Sequence, residues 1–119
     1  MSEPLNPVQI EQNIRQVSNR IAEGVKVCSA RYKDFLDADR EYDLAFARAY
    51  MAHEGPAHEK KYTAEIETID LRRARDDADG LYRHADRKAR SLNEELRAWQ
   101  SVGASVRMMY ATAGVGNGA

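Results

Sequence analysis

The stretch His53-Glu54-Gly55-Pro56-Ala57-His58 decides the fold. Glycine is the residue that ends helices in a left-handed conformation. Proline cannot continue a helix, because it lacks an N–H and its ring clashes with the preceding turn. A helix reaching this stretch stops near His53, and a second one starts after Pro56. Outward from it, helix breakers are sparse. Only Gly24 intervenes back to Pro7, and only Gly80 forward to Gly103. Two long segments are thus joined by one short turn.

The first segment opens with Asn6-Pro7, an N-cap residue followed by the residue favoured at the first helical position. Ile10, Ile14, Val17, Ile21, Val25, Cys28, Tyr32, Phe35, Tyr42, Phe46 and Tyr50 then recur at steps of three, four or seven. This spacing is one helical stripe close to a heptad seam, and strand alternation is absent. In the second segment Tyr62, Ile66, Ile69, Arg73, Ala78, Leu81, Ala85, Leu92, Leu96, Trp99, Val102, Val106 and Tyr110 form a matching stripe. Charges crowd it between Arg72 and Gly80, which predicts looser packing there or a kink near Gly80.

Helices of this length span ~70 Å at 1.5 Å per residue, and a short connection makes them antiparallel neighbours. The sequence therefore predicts an all-α chain, a long antiparallel two-helix hairpin of coiled-coil type. Its expected parts are an N-terminal arm over 1–6, a helix over 7–53, a turn over 54–57, a helix over 58–110 and a flexible glycine-rich tail over 111–119. The expected register sets Ile10 near Ser101, Val25 near Asp86 and Phe46 near Lys61 to Ile66. Apolar residues exceed what one seam uses, since Leu36, Leu44, Leu71 and Met108 lie beside the stripe. The excess predicts a homo-oligomer, most simply a dimer forming a four-helix bundle.

Composition narrows the function. The chain has 119 residues, one domain's worth, with a net charge of −1. Whole-molecule charge therefore favours neither nucleic acid nor a membrane surface. No apolar run approaches the ~18 residues that cross a bilayer, and the N-terminus lacks the basic and apolar regions of a secretory signal. A lone cysteine, Cys28, has no partner for an internal disulfide, so a cytoplasmic location is expected.

Catalytic signatures are missing. No phosphate loop or nucleophile elbow occurs. Cys28 lies on the apolar stripe and reads as a small hydrophobe. His53 and His58 bracket the turn without the i, i+4 spacing of a zinc helix, and read as residues at helix ends. Asp37-Ala38-Asp39-Arg40-Glu41-Tyr42-Asp43 lacks the central glycine and terminal glutamate of a calcium loop, so it reads as a solvated acidic face. No metal, no cofactor and no enzymatic activity are expected.

Charge is unevenly placed. Residues 31–80 carry 9 basic and 13 acidic side chains, whereas residues 81–119 carry 6 and 3. Arg83, Arg87, Arg90 and Arg97 share a helical stripe flanked by Lys88, which makes a candidate track for a phosphate backbone. The competing reading is a solvated face of i, i+4 pairs such as Asp86 with Arg90. Trp99, Met109 and Tyr110 are the candidate anchors for docking onto a protein.

The segment from Leu92 to Arg107, with Leu96-Arg97-Ala98-Trp99-Gln100-Ser101-Val102-Gly103 at its centre, resembles the C-terminal part of small all-helical proteins of actinobacterial bacteriophages. The Trp-x-Gly turn of secreted actinobacterial helical hairpins is absent, the turn here being Glu54-Gly55-Pro56. The phage resemblance transfers no functional residue. A rigid rod with a sticky seam and split charge suits a non-enzymatic adaptor or inhibitor, expected to bind a host or phage protein in the host cytoplasm. An accessory nucleic-acid-binding protein of replication or recombination is the alternative, and a structural virion or scaffold component a further one.

Overall fold

The computed structural model describes residues 6–118, with side chains described through residue 113. The described residues are all-α, in the order α1 (Pro7–Ala52), α2 (Ala57–Glu67) and α3 (Ile69–Gly118). Of the expected N-terminal arm only Asn6 is described; residues 1–5 lie outside the described residues.

Local chemistry explains each boundary. Asn6 Oδ1 accepts a hydrogen bond from the Gln9 N–H at 2.9 Å, and Gln9 Oε1 accepts one from the Asn6 N–H at 3.4 Å. This reciprocal pair is a capping box that satisfies two otherwise orphaned donors. At the other end of α1, the His53 N–H still reaches the Ala49 carbonyl at 3.3 Å, and then Gly55 and Pro56 turn the chain. Gly55 adopts φ 158°, away from the left-handed helical value expected for a helix-ending glycine. Its lack of a side chain matters for another reason. A Cβ there would sit 2.8 Å from Glu59 Oε2 and 3.0 Å from His53 Nε2, so glycine leaves room for those two side chains to meet.

The second arm differs from the single helix expected over 58–110. It breaks at Thr68, not at Gly80. The buried Thr68 hydroxyl donates to the Ala64 carbonyl at 2.6 Å, and the Thr68 N–H donates to the same oxygen at 3.1 Å. Threonine bonding back to the i−4 carbonyl bends helices, and Thr68 takes φ −106°, ψ 14°, outside the helical well. Gly80 stays helical, since an isolated glycine lowers helix propensity without breaking the hydrogen-bond ladder. The helix also continues through 111–113, where a tail was expected, and α3 ends only at Gly118.

The chain forms two compact units, one of residues 1–25 with 87–119 and the other of Lys26–Asp86. In the first, α1 and α3 pack antiparallel. A Cβ on Gly103 would lie 3.3 Å from Ile10, and Arg20 pairs with Glu95 at 3.7 Å. Ile10 thus faces Gly103, two residues beyond the expected Ser101. Ile10, Val17 and Leu92 are the buried aliphatic side chains of this seam. Each contributes roughly 1.5–3 kcal/mol on burial.

The second unit is also an antiparallel pairing, with a different core. Tyr32 packs on Tyr82 with ring centroids 5.1 Å apart, and Arg75 of α3 reaches Asp39 of α1 at 3.8 Å. The buried residues here are Ala49, Ala64, Thr68 and Ala85. Small residues let the helix backbones approach closely, leaving the larger Tyr42, Phe46 and Tyr50 only half-buried. The expected stripe is out of phase with this seam at Tyr62, Ile66, Ile69, Arg73 and Leu81, whereas its Ala78 and Ala85 do turn inward. Ile66 is 73% exposed, while Ala64, Thr68, Leu71, Arg75, Ala78 and Tyr82 turn inward.

Candidate protein-interaction site

The antiparallel register leaves the end of α3 without a described partner. Ile10 lies against Gly103, so the first residue of α1, Pro7, falls about one helical turn further along α3. Val106 is still half-buried, but every side chain from Arg107 to Ala113 is exposed. Met108 is 73% exposed and Met109 68%, with Tyr110 also exposed. Thr112 satisfies its own hydroxyl by donating to the Met108 carbonyl at 2.9 Å. The overhang is therefore a helix with its backbone bonds made and two methionines and a tyrosine presented outward. Methionine adapts to irregular partner surfaces, and tyrosine supplies rigid contact area.

The three expected anchors divide. Met109 and Tyr110 lie on this overhang, whereas Trp99 is half-buried two turns earlier, in the part of α3 that faces α1. Met108, which had read only as a residue beside the stripe, joins the exposed set.

The basic residues also separate. Arg83 belongs to the second unit, where its guanidinium donates to Asp79 at 3.0 Å. Arg87, Lys88, Arg90 and Arg97 belong to the first unit and are exposed. Arg87 and Arg90 already engage neighbouring groups. Paired arginines have less to gain from a phosphate than a row of unengaged ones.

At the turn, His53 Nε2 lies 3.4 Å from Glu59 Oε2, while His58 points to solvent. Among the described residues no group of three His, Cys, Asp or Glu is placed to hold a metal ion. Cys28 is a half-buried free thiol. The acidic run disperses, with Asp37 taken by Arg40 at 3.4 Å and Asp39 by Arg75. Arg75 is engaged from two sides. It donates to Asp76 at 3.1 Å, and that hydrogen bond, opposed by partial burial and helped by the charges of Asp76 and Asp39, holds its pKa above the ordinary arginine value. The raised pKa keeps Arg75 charged, as arginine is throughout the ordinary pH range.

Beside Thr68 an open groove of about 400 Å³ is lined by Ala45, Arg48, Ala49, Ala52, Glu67 and Thr68. It carries no nucleophile–base pair. A feature the sequence reading missed is the exposed apolar row Tyr62, Ile66 and Ile69, on the side of the helix away from Ala64 and Thr68. Its signal was the second, alanine-bearing stripe running through the same segment.

No described helix is long and apolar enough to cross a membrane. No protein-family model, curated protein or solved structure matches the chain.

Proposed function

We propose that this chain is a non-enzymatic helical protein that acts by binding another protein through the overhanging part of α3. The observation that carries this reading is that Met108, Met109 and Tyr110 are all exposed on α3. Exposed apolar side chains on a helix favour docking onto a partner, and because these three are consecutive and fan around the helix, the partner would grip it from more than one side. The resemblance to small phage proteins makes a phage or host protein the partner class, and the host cytoplasm the place of action. The chain also self-associates in this reading, as a dimer in which four helices meet, because its apolar residues outnumber those that the α1–α3 seams bury.

Affinity capture from an actinobacterial lysate tests the partner reading. The bait is the full chain, compared with a variant carrying Met108→Ser, Met109→Ser and Tyr110→Ser. The reading expects a protein retained by the parent and lost by the variant, with the melting temperature unchanged. An identical captured set from both baits contradicts it.

A further inference from the structure

We infer that the outer face of α2 and the start of α3 is a two-fold self-docking surface, whose occupant is the same face of a second copy of this chain. The inference rests on the self-association proposed above and names the surface responsible.

The face lies within one compact unit and runs through Glu59, Tyr62, Ile66, Ile69, Asp70 and Arg73. These residues recur at helical steps around Ile66, and all are exposed. The inward side of the same helices carries Ala64 and Thr68, which are buried, so α1 covers the opposite side. The apolar centre is substantial, with Ile66 73% and Tyr62 60% exposed.

The order of residues says what fits. Glu59 stands seven positions before Ile66, and Arg73 seven after. Tyr62 stands four before, and Asp70 four after. When two copies cross antiparallel with Ile66 against Ile66, Glu59 meets Arg73 of the second copy, and the Tyr62 hydroxyl faces Asp70 of the second copy as donor to acceptor. A two-fold axis makes each contact twice. The face is thus its own complement, with Glu59 at one end, Asp70 and Arg73 at the other and an apolar centre between.

The side chains are positioned to make the exchange. Glu59 is half exposed although it touches His53, and Arg73 is 74% exposed with only a long 3.9 Å approach to Asp70. A parallel crossing would set Glu59 against Glu59 and Arg73 against Arg73, so charge selects the antiparallel one. The pairing spans α2 and the first turn of α3, on either side of the break at Thr68.

Sedimentation velocity on the full chain, over a micromolar concentration series, tests this. The parent is expected to dimerise, and Ile66→Asp to weaken the dimer by about tenfold or more. Because Ile66→Asp also alters an exposed helix position, the charge pair supplies an independent test. Glu59→Arg alone and Arg73→Glu alone should each weaken self-association, since each sets like charges face to face. Mixing the two variants should restore a dimer, because in the mixed species both junctions pair opposite charges. A chain that stays monomeric throughout overturns both the inference and the self-association on which it rests. A dimer insensitive to Ile66→Asp, or single charge variants that mixing does not rescue, overturns the inference while self-association stands.

Discussion

The guanidinium of Arg75 lies over the ring of Tyr42, 4.7 Å from its centroid, and so ties α3 to α1 in the middle of the compact unit Lys26–Asp86. The same group reaches Asp39 at 3.8 Å. A planar cation between an aromatic face and a carboxylate holds one register between two helices whose buried contacts there are small. Replacing Arg75 with Ala should cost about 1–2 kcal/mol in urea unfolding followed by circular dichroism. Arg75→Lys should recover only part of that, because an ammonium has no plane to stack.

The glycines give opposite expectations at different sites. A Cβ at Gly24 or Gly80 would meet nothing within 4 Å, so alanine there gains helix propensity without a clash. Each substitution should raise stability by up to about 1 kcal/mol. At Gly103 the added carbon would lie 3.3 Å from the buried Ile10, so alanine should gain less there, and leucine should destabilise outright. Thermal melts of the four variants rank these effects.

Trp99 and Tyr110 should separate stability from binding. Trp99 is half-buried in the part of α3 that faces α1, so Trp99→Ala should lower stability by roughly 2 kcal/mol. Tyr110 is 56% exposed, so Tyr110→Ala should leave the melt within about 0.5 kcal/mol while weakening partner capture. Melting and capture measured on the same two variants distinguish the roles.

Nucleic-acid binding should be weak. Arg83 is held by Asp79, and Arg87 and Arg90 also have interaction partners. Short single-stranded DNA at about 50 mM salt should leave the light-scattering mass unchanged. A mass increase that disappears at high salt would return Arg83, Arg87, Lys88, Arg90 and Arg97 to candidacy.

Much of the fold was legible because its signals are strong and local. Asn6-Pro7 marked the start of α1, Gly55-Pro56 the turn, and Ile10, Val17 and Leu92 the seam of one unit. The break at Thr68 was not legible, because a threonine within a helical pattern carries no mark like that of proline. Its effect comes from a buried hydroxyl finding the Ala64 carbonyl. The phase between Tyr62 and Leu81 failed for a related reason. Reading large apolar residues as inward works where the core is aliphatic, but this seam turns on Ala64 and Thr68 before it reaches the expected Ala78 and Ala85, and it admits Arg75 while Arg73 faces out. Of the candidate site, Met109 and Tyr110 were legible as bulky apolar residues late in the chain. The overhang that exposes them depends on the register of Ile10 against Gly103, which residue types alone left two positions short.

Site-specific photo-crosslinking tests binding through the overhang most directly. A photoreactive phenylalanine analogue is placed at Met109 in one full-length protein and at the exposed Ala47 of α1 in another, and both are irradiated in the bacterial lysate used for capture. Binding through this part of α3 predicts a discrete adduct from position 109 that is absent from position 47. The same adducts from both positions, or none from 109, would contradict it.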